Sequence, residues 1–369
     1  MLEINLNLKN TEPYQMVSQD FWRSSRKIIK ADWNEEFFRN EQVEAEMVKF
    51  IQSGLYNVYP DVEAYDLRKA LSGFHGVPIE NISVFNGSDE ALDVICRTFL
   101  NKGDKVVVRN PEYSNFYVFV QSSGAMLMKH YQDEPFVVEE GKLHDFIRNE
   151  KPKIFYTSNP NNPTGYLYDA NFLLELVEEF TDTLFIIDEA YIHFAFDQRE
   201  AMDKLLVQSV NHNNLVVTRT FSKLFSLAGL RVGYVVSSRS NIEYLSVLKK
   251  PKNVSMISQV AARTAIENWG FYDMKKREVV QAREEFIISV RNLRNVEMVA
   301  NSKGNFVSIR FGKRVNVNSL IENLRNKGLY VRNRSNIDQL ENVIRITLLD
   351  PFTMHEVTEI IKDCLESFS

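Results

Sequence analysis

Residues 82–100 read ISVFNGSDEALDVICRTFL: a short apolar run, a turn at Asn86-Gly87, then apolar residues at helical spacing. The unit recurs along the chain. KVVVRNP (105–111) is a strand, and EYSNFYVFVQSSG after it is a helix. AMLMKHY, KIFYTS, LFIIDEAY, LVVTRT and RVGYVV extend the strand series to Val236, with KLHDFIRNE and DANFLLELVEEF as helices between them. Strands this apolar on both faces predict an α/β fold: a mostly parallel, seven-stranded sheet covered by helices and joined by right-handed crossovers.

The pattern changes after about residue 255. ISQVAARTAIENWG and FYDMKKREVVQAREEFIISVRNL read as long helices, the second with dense charge on one face. NFVSIRF, LYVRNR and NVIRITL read as strands, with VNSLIENLRNKG and MHEVTEIIKDCLESF as helices. These predict a smaller α+β C-terminal domain over residues 266–369, after a large domain over 41–265. Residues 1–40 show little periodicity and read as an N-terminal arm that partly joins the small domain.

The 369 residues are enough for two cores, and 44% apolar with 25% charged residues is ordinary for a globular protein. A net charge of −5 and the lack of a dense basic run argue against nucleic-acid or anionic-membrane partners. MLEINLNLKN has no basic cluster ahead of an apolar stretch, and apolar runs such as Leu184–Ile187 are strand-sized. Two cysteines, Cys96 and Cys364, are too few for a disulfide framework or a cysteine metal site. The expectation is a cytoplasmic protein without a metal.

Ligands of open parallel sheets bind beyond the C-terminal ends of the strands, and polar residues collect at those positions here. Ser88 and Asp89 open a helix after Gly87, where free backbone N–H groups suit an anion. Asp188 follows LFII directly, with Tyr191 three residues on; a carboxylate there can hold a protonated pyridine nitrogen, and a phenol can reach the ring's oxygen. Lys223 follows Thr220-Phe221-Ser222, and a partly buried lysine loses charge and can form an imine. Ser222 and Arg231 flank it with a hydroxyl and a guanidinium fork, both suited to phosphate. Asn162 sits in the turn-rich SNPNNPTG (158–165), and Tyr113 opens a helix where its ring can stack on a planar cofactor. Each signal alone is weak, since caps and loops use the same residues.

In combination, SNPNNPTG, IIDEAY and TFSKLFSLAGLRVGY resemble the fold-type I pyridoxal phosphate (PLP) aminotransferases, closest to the histidinol-phosphate aminotransferase group. The resemblance runs from about Tyr14 to Arg345. It implies that Lys223 carries PLP as a Schiff base and shuttles the proton. It implies that Asp188 pairs with the pyridine nitrogen, that Asn162 and Tyr191 contact the ring oxygen, and that Tyr113 stacks on the ring. Ser88, Asp89, Ser222 and Arg231 would surround the phosphate. Tyr59 resembles the tyrosine that reaches a neighbouring subunit's cofactor, which implies a homodimer with shared active sites. Arg332 and Arg345 resemble the family's two C-terminal arginines for a carboxylate or phosphate. Glutamate with 2-oxoglutarate is the implied donor and acceptor pair.

Two departures concern the substrate. Lys30–Glu36, KADWNEE, stands where the group carries an Asn-Glu-Asn-Pro type motif; the proline is absent and Trp33 intrudes. Leu348 and Leu349 stand where a glycine is usual and are expected to add bulk. Tyr14 and Trp33 join the arginines as candidate substrate contacts. A smaller phosphate such as dihydroxyacetone phosphate, giving serinol phosphate, competes with histidinol phosphate as the substrate. An amino-acid-phosphate decarboxylase is a further alternative. A non-catalytic sensor is disfavoured, because Lys223 and Asp188 are present and no DNA-binding segment is evident.

Overall fold

The computed structural model describes residue 7 and residues 19–25 and 27–368; Tyr14 lies outside them. Twelve strands are present among these residues: β1 (Ile29–Ala31), β2 (Ile82–Phe85), β3 (Lys105–Asn110), β4 (Met126–Tyr131), β5 (Ile154–Ser158), β6 (Leu184–Asp188), β7 (Leu215–Thr220), β8 (Gly233–Val236), β9 (Val296–Val299), β10 (Phe306–Phe311), β11 (Leu329–Asn333) and β12 (Val343–Thr347). The larger sheet has seven strands in the order β2-β8-β7-β6-β5-β3-β4. The pairs β7·β6, β6·β5, β5·β3 and β3·β4 are parallel, whereas β8 runs antiparallel to both its neighbours. All seven strands are those expected from the apolar runs. Every residue of the central strands β5, β6 and β7 is buried, because helices cover both faces of the sheet.

The smaller sheet has the order β1-β11-β12-β10-β9. Its two outer strands lack the patterning of the inner three. β9 is a four-residue edge strand, and β1 is a three-residue strand that pairs parallel to β11 from the far end of the chain. Residues 29–31 are therefore a strand of this sheet, where the N-terminal segment joins it. Among the described residues no helix is long and apolar enough to cross a membrane.

Parallel strands place Asn110, Ser158, Asp188 and Thr220 at one edge of the large sheet. Antiparallel β8 brings its first residue, Gly233, to the same edge, opposite Thr220 and Phe85. Strand alternation then divides the chemistry at the β6 and β7 ends. Asp188 and Thr218 are register partners facing one side, while Glu189 and Arg219 face the other. On that second side Arg219 is fully buried. Its Nε and Nη2 donate to Glu189 Oε2 at 2.8 and 2.7 Å, and its Nη1 donates to Asp203 Oδ1 at 2.6 Å. His75 continues the network, with Nδ1 3.0 Å from Asp203 Oδ2 and Nε2 2.9 Å from Tyr234 Oη. This ionic cluster backs the strand ends that carry the site.

Candidate active site

The cleft lies at the strand-end edge, between the two sheets. Its lining includes Trp33, Ser88, Asp89, Tyr113, Asn162, Asp188, Tyr191, Ser222, Lys223, Arg231 and Arg345, so eleven of the fourteen residues singled out from the sequence converge on one space. Of the other three, Tyr14 is undescribed, and Tyr59 and Arg332 do not line the cleft.

Asp188 is buried at the floor. Tyr156 Oη donates to its Oδ2 at 3.2 Å, and Thr218 Oγ1 and the Ala190 N–H donate to its Oδ1 at 3.0 and 3.2 Å. These donors are neutral. Burial therefore dominates and pushes the carboxyl up to about 6, against the pull of the Thr218 and Tyr156 hydroxyls. A cation beside Asp188 would supply the charge partner that burial makes valuable, and a protonated ring nitrogen is such a cation. Tyr156 and Thr218 were not anticipated. The signal was their place on the strands flanking β6, with Thr218 directly opposite Asp188.

At one end of the cleft, Arg231 Nη1 donates to Ser222 Oγ at 3.3 Å, and Thr220 Oγ1 donates to the same oxygen at 3.0 Å. Arg231 has φ +52°, a left-handed conformation. Glycines keep this end open. A Cβ on Gly87 would stand 2.6 Å from Arg231 Nη2, and one on Gly233 would stand 2.4 Å from the Ser88 backbone nitrogen. Guanidinium, hydroxyl and the N–H groups at the start of the Gly87–Phe99 helix together make a donor set that could hold a phosphate. Asp89 does not face this cup as a donor; its carboxylate accepts from Tyr113 Oη at 2.8 Å and pairs with Arg231 at 3.5 Å. Buried carboxylate, lysine and phosphate cup together fit PLP.

The segment after β1 crosses the cleft and forms its roof. Lys223 Nζ donates to the Trp33 carbonyl at 2.8 Å. Asn34 Nδ2 and Asn162 Nδ2 donate to Tyr191 Oη at 3.1 and 3.3 Å, and Arg345 donates to Asn162 Oδ1 at 2.7 Å and to the Asp32 carbonyl at 2.6 Å. Lys30 lies over the Trp33 ring at 4.1 Å and is salt-bridged to Asp32 and Glu35 beneath it. Trp33 lines the cleft. Leu348 and Leu349, expected to add bulk there, are buried in the core and do not line the cleft.

Behind the roof, Glu36 is buried and accepts from Asn305 Nδ2 at 2.9 Å. Burial pushes its carboxyl up to about 8, opposed by that hydrogen bond and the Lys223 charge. The folded value lies above the ordinary 4.5, so the native state holds the extra proton between about pH 4.5 and 8, and stability falls as pH rises through that window. Glu36→Gln cannot ionise and escapes this loss. In calorimetry of the apoprotein, Tm of the variant relative to wild type is expected to rise between pH 5 and pH 9. A difference that stays constant contradicts a neutral Glu36.

A strand-end lysine, a buried carboxylate and a phosphate cup on this sheet define a fold-type I PLP enzyme. The family model "Aminotransferase class I and II" matches residues 29–361, and the chain belongs to that family, a family of PLP-dependent transferases. A dihydroxyacetone phosphate transaminase of Campylobacter jejuni is 33% identical over 341 residues, covering 91% of this chain and 90% of that protein. A histidinol-phosphate aminotransferase of Clostridium novyi is 30% identical over 343 residues, covering 93% and 91%. In fold, the crystal structure of a Sinorhizobium meliloti histidinol-phosphate aminotransferase in complex with pyridoxal-5'-phosphate superposes with a TM-score of 0.89 at 23% identity, covering 100% of this chain and 99% of that one.

Proposed function

We propose that this enzyme transfers an amino group between glutamate and a small phosphorylated carbonyl compound. The observation that carries the reading is the guanidinium of Arg345, held by Asn162 and the Asp32 carbonyl at the substrate side of Lys223 in a cleft walled by Trp33. An arginine fork there suits a carboxylate or phosphate. The bulk of Trp33 favours a compact substrate over one with an imidazole, and the 33% identity to a dihydroxyacetone phosphate transaminase points the same way.

The chemistry is divided among the residues as follows. PLP supplies the electron sink. Asp188 would face the ring nitrogen as its charge partner, and Asn162 and Tyr191 would hold the ring's oxygen. Tyr113 would stack on the ring, and Ser88, Ser222 and Arg231 would hold the phosphate, with Asp89 fixing Arg231 and Tyr113. Lys223 Nζ would take the proton from the substrate's Cα and carry it to the cofactor side, a positioned acid–base step contributing about 10²–10⁴-fold. The Trp33 carbonyl orients Nζ, and the roof excludes water.

Assayed with 2-oxoglutarate, a panel of phosphorylated amines and their unphosphorylated parents is expected to give the highest kcat/KM for a compact phosphate ester, with 2-oxoglutarate converted to glutamate. A strong preference for an unphosphorylated amino acid contradicts the reading, and carbon dioxide release without amino transfer would make the enzyme a decarboxylase.

A homodimer completes the site in this reading. Tyr59 is 76% exposed, away from its own cleft, in a stretch where Leu55, Tyr56, Val58 and Tyr65 are also exposed. An apolar band of this kind suits a second copy of the chain, and Tyr59 is proposed to reach that copy's cofactor phosphate. Light scattering is expected to give twice the mass of the chain; a monomer that retains full activity rules this out. A cytoplasmic location fits two buried free cysteines.

A further inference from the structure

We propose that Glu112 is a positioning residue of the active site: through the Ser158 hydroxyl it fixes Asn162 for its contacts with Tyr191 and Arg345. This role rests on the proposed function and deepens it. Glu112 follows Asn110-Pro111 at the end of β3, and Ser158 ends the neighbouring parallel strand β5. Glu112 lines the cleft, is 1% exposed and takes no part in the chemistry proposed above. Its Oε1 accepts from the Tyr113 N–H at 2.9 Å and from the Ser158 hydroxyl. Its Oε2 accepts from the Thr157 hydroxyl at 3.0 Å and from the Ser158 N–H at 3.2 Å. One carboxyl therefore ties the turn after β3 to the end of β5. The Ser158 hydroxyl passes the constraint on, because its oxygen accepts from the Asn162 N–H at 2.9 Å. Asn162 in turn donates to Tyr191 Oη at 3.3 Å and accepts from Arg345 Nη1 at 2.7 Å. A continuous chain of hydrogen bonds thus runs from Glu112 to the side chains expected at the ring oxygen and at the substrate's anion.

The tie is specific to a carboxyl. Each of its oxygens accepts from one backbone N–H, Tyr113 on one side and Ser158 on the other. Glutamine has nearly the same shape, yet whichever way its amide is turned, its NH₂ group meets one of those N–H groups and that bond is lost. The carboxyl is held at a cost. Its four donors are uncharged, so burial dominates and pushes it up to about 7, opposed by the Ser158 hydroxyl and the Tyr113 and Ser158 N–H groups. The titratable groups around it include the phenols of Tyr156, Tyr168 and Tyr117, whose Oη accepts the Glu112 N–H at 3.1 Å.

The test uses the holoenzyme and a double-mutant cycle of Glu112→Gln with Asn162→Ala. With the best amine substrate and 2-oxoglutarate, Glu112→Gln is expected to lower kcat/KM by about 10-fold or more, but by at most about 2-fold where Asn162 is already alanine. A second readout needs no substrate. The pH at which the visible cofactor band titrates should move by about 0.5–1 unit in Glu112→Gln, the size of one net hydrogen bond at the ring oxygen, and should not move further in the Asn162→Ala background. Ser158→Ala breaks the same chain one bond later while leaving the carboxyl in place. It should reproduce both effects, and it carries the test if Glu112→Gln fails to load cofactor. Equal losses with and without Asn162, or a band displaced equally in both backgrounds, mean that Glu112 acts by its charge or on stability alone and overturn the role. Wild-type behaviour of Glu112→Gln and Ser158→Ala overturns it as well. If wild type transfers no amino group, the proposed function fails, and the cofactor band alone decides the role of Glu112.

Discussion

Lys223→Ala is expected to lower kcat by at least about three orders of magnitude and to remove the visible band of the lysine-bound cofactor. The reason is geometric. Lys223 Nζ is in the cleft beside the Tyr191 ring at 5.5 Å and donates to the Trp33 carbonyl, so truncation removes the group proposed as covalent anchor and proton carrier. The phosphate cup and Asp188 are independent of that side chain. The variant is therefore expected to fold and to bind PLP noncovalently, with its absorption shifted toward that of the free aldehyde. A variant with wild-type absorption and activity would remove Lys223 from the chemistry.

The largest expected effect on stability lies on the opposite face of the sheet. Arg219→Met leaves the Glu189 and Asp203 carboxylates buried without their shared cation. Losing one member of a buried ionic group costs about 3–5 kcal/mol, because the remaining charges stay desolvated and uncompensated. Denaturant unfolding of the apoprotein measures this. The triple variant Glu189→Gln, Asp203→Asn, Arg219→Met removes the stranded charges as well and should recover much of the loss. A single variant as stable as wild type would mean that the cluster contributes little.

What could be read in the sequence follows from where the physics is local. A strand of the large sheet announces itself by a short apolar run, so β2 to β8 were legible one by one. The polar residues at or just beyond the ends of these strands were legible too, which is why Asp188, Asn162, Ser222 and Lys223 could be named as candidates. β1 was not, because three residues carry no period and its pairing partner β11 lies at the other end of the chain. The substrate end was read less well for the same reason. Which arginine of VRNR reaches the cleft depends on how β11 meets β12 and on what crosses above them. Arg332 carried the resemblance, yet Arg334 lines the cleft; Leu348 and Leu349 are buried in the core, while Trp33 lines the cleft. Partners drawn from adjacent strands, such as Tyr156 and Thr218 for Asp188, become visible only once strand order is known.

The most direct test of the central claim is chemical. Holoenzyme is reduced with borohydride, digested and mapped by mass spectrometry. The account predicts a stable pyridoxyl phosphate adduct on the peptide containing TFSKLFSLAGLR, localised to Lys223. An adduct on a different lysine, or reduction that leaves every lysine unmodified, contradicts it.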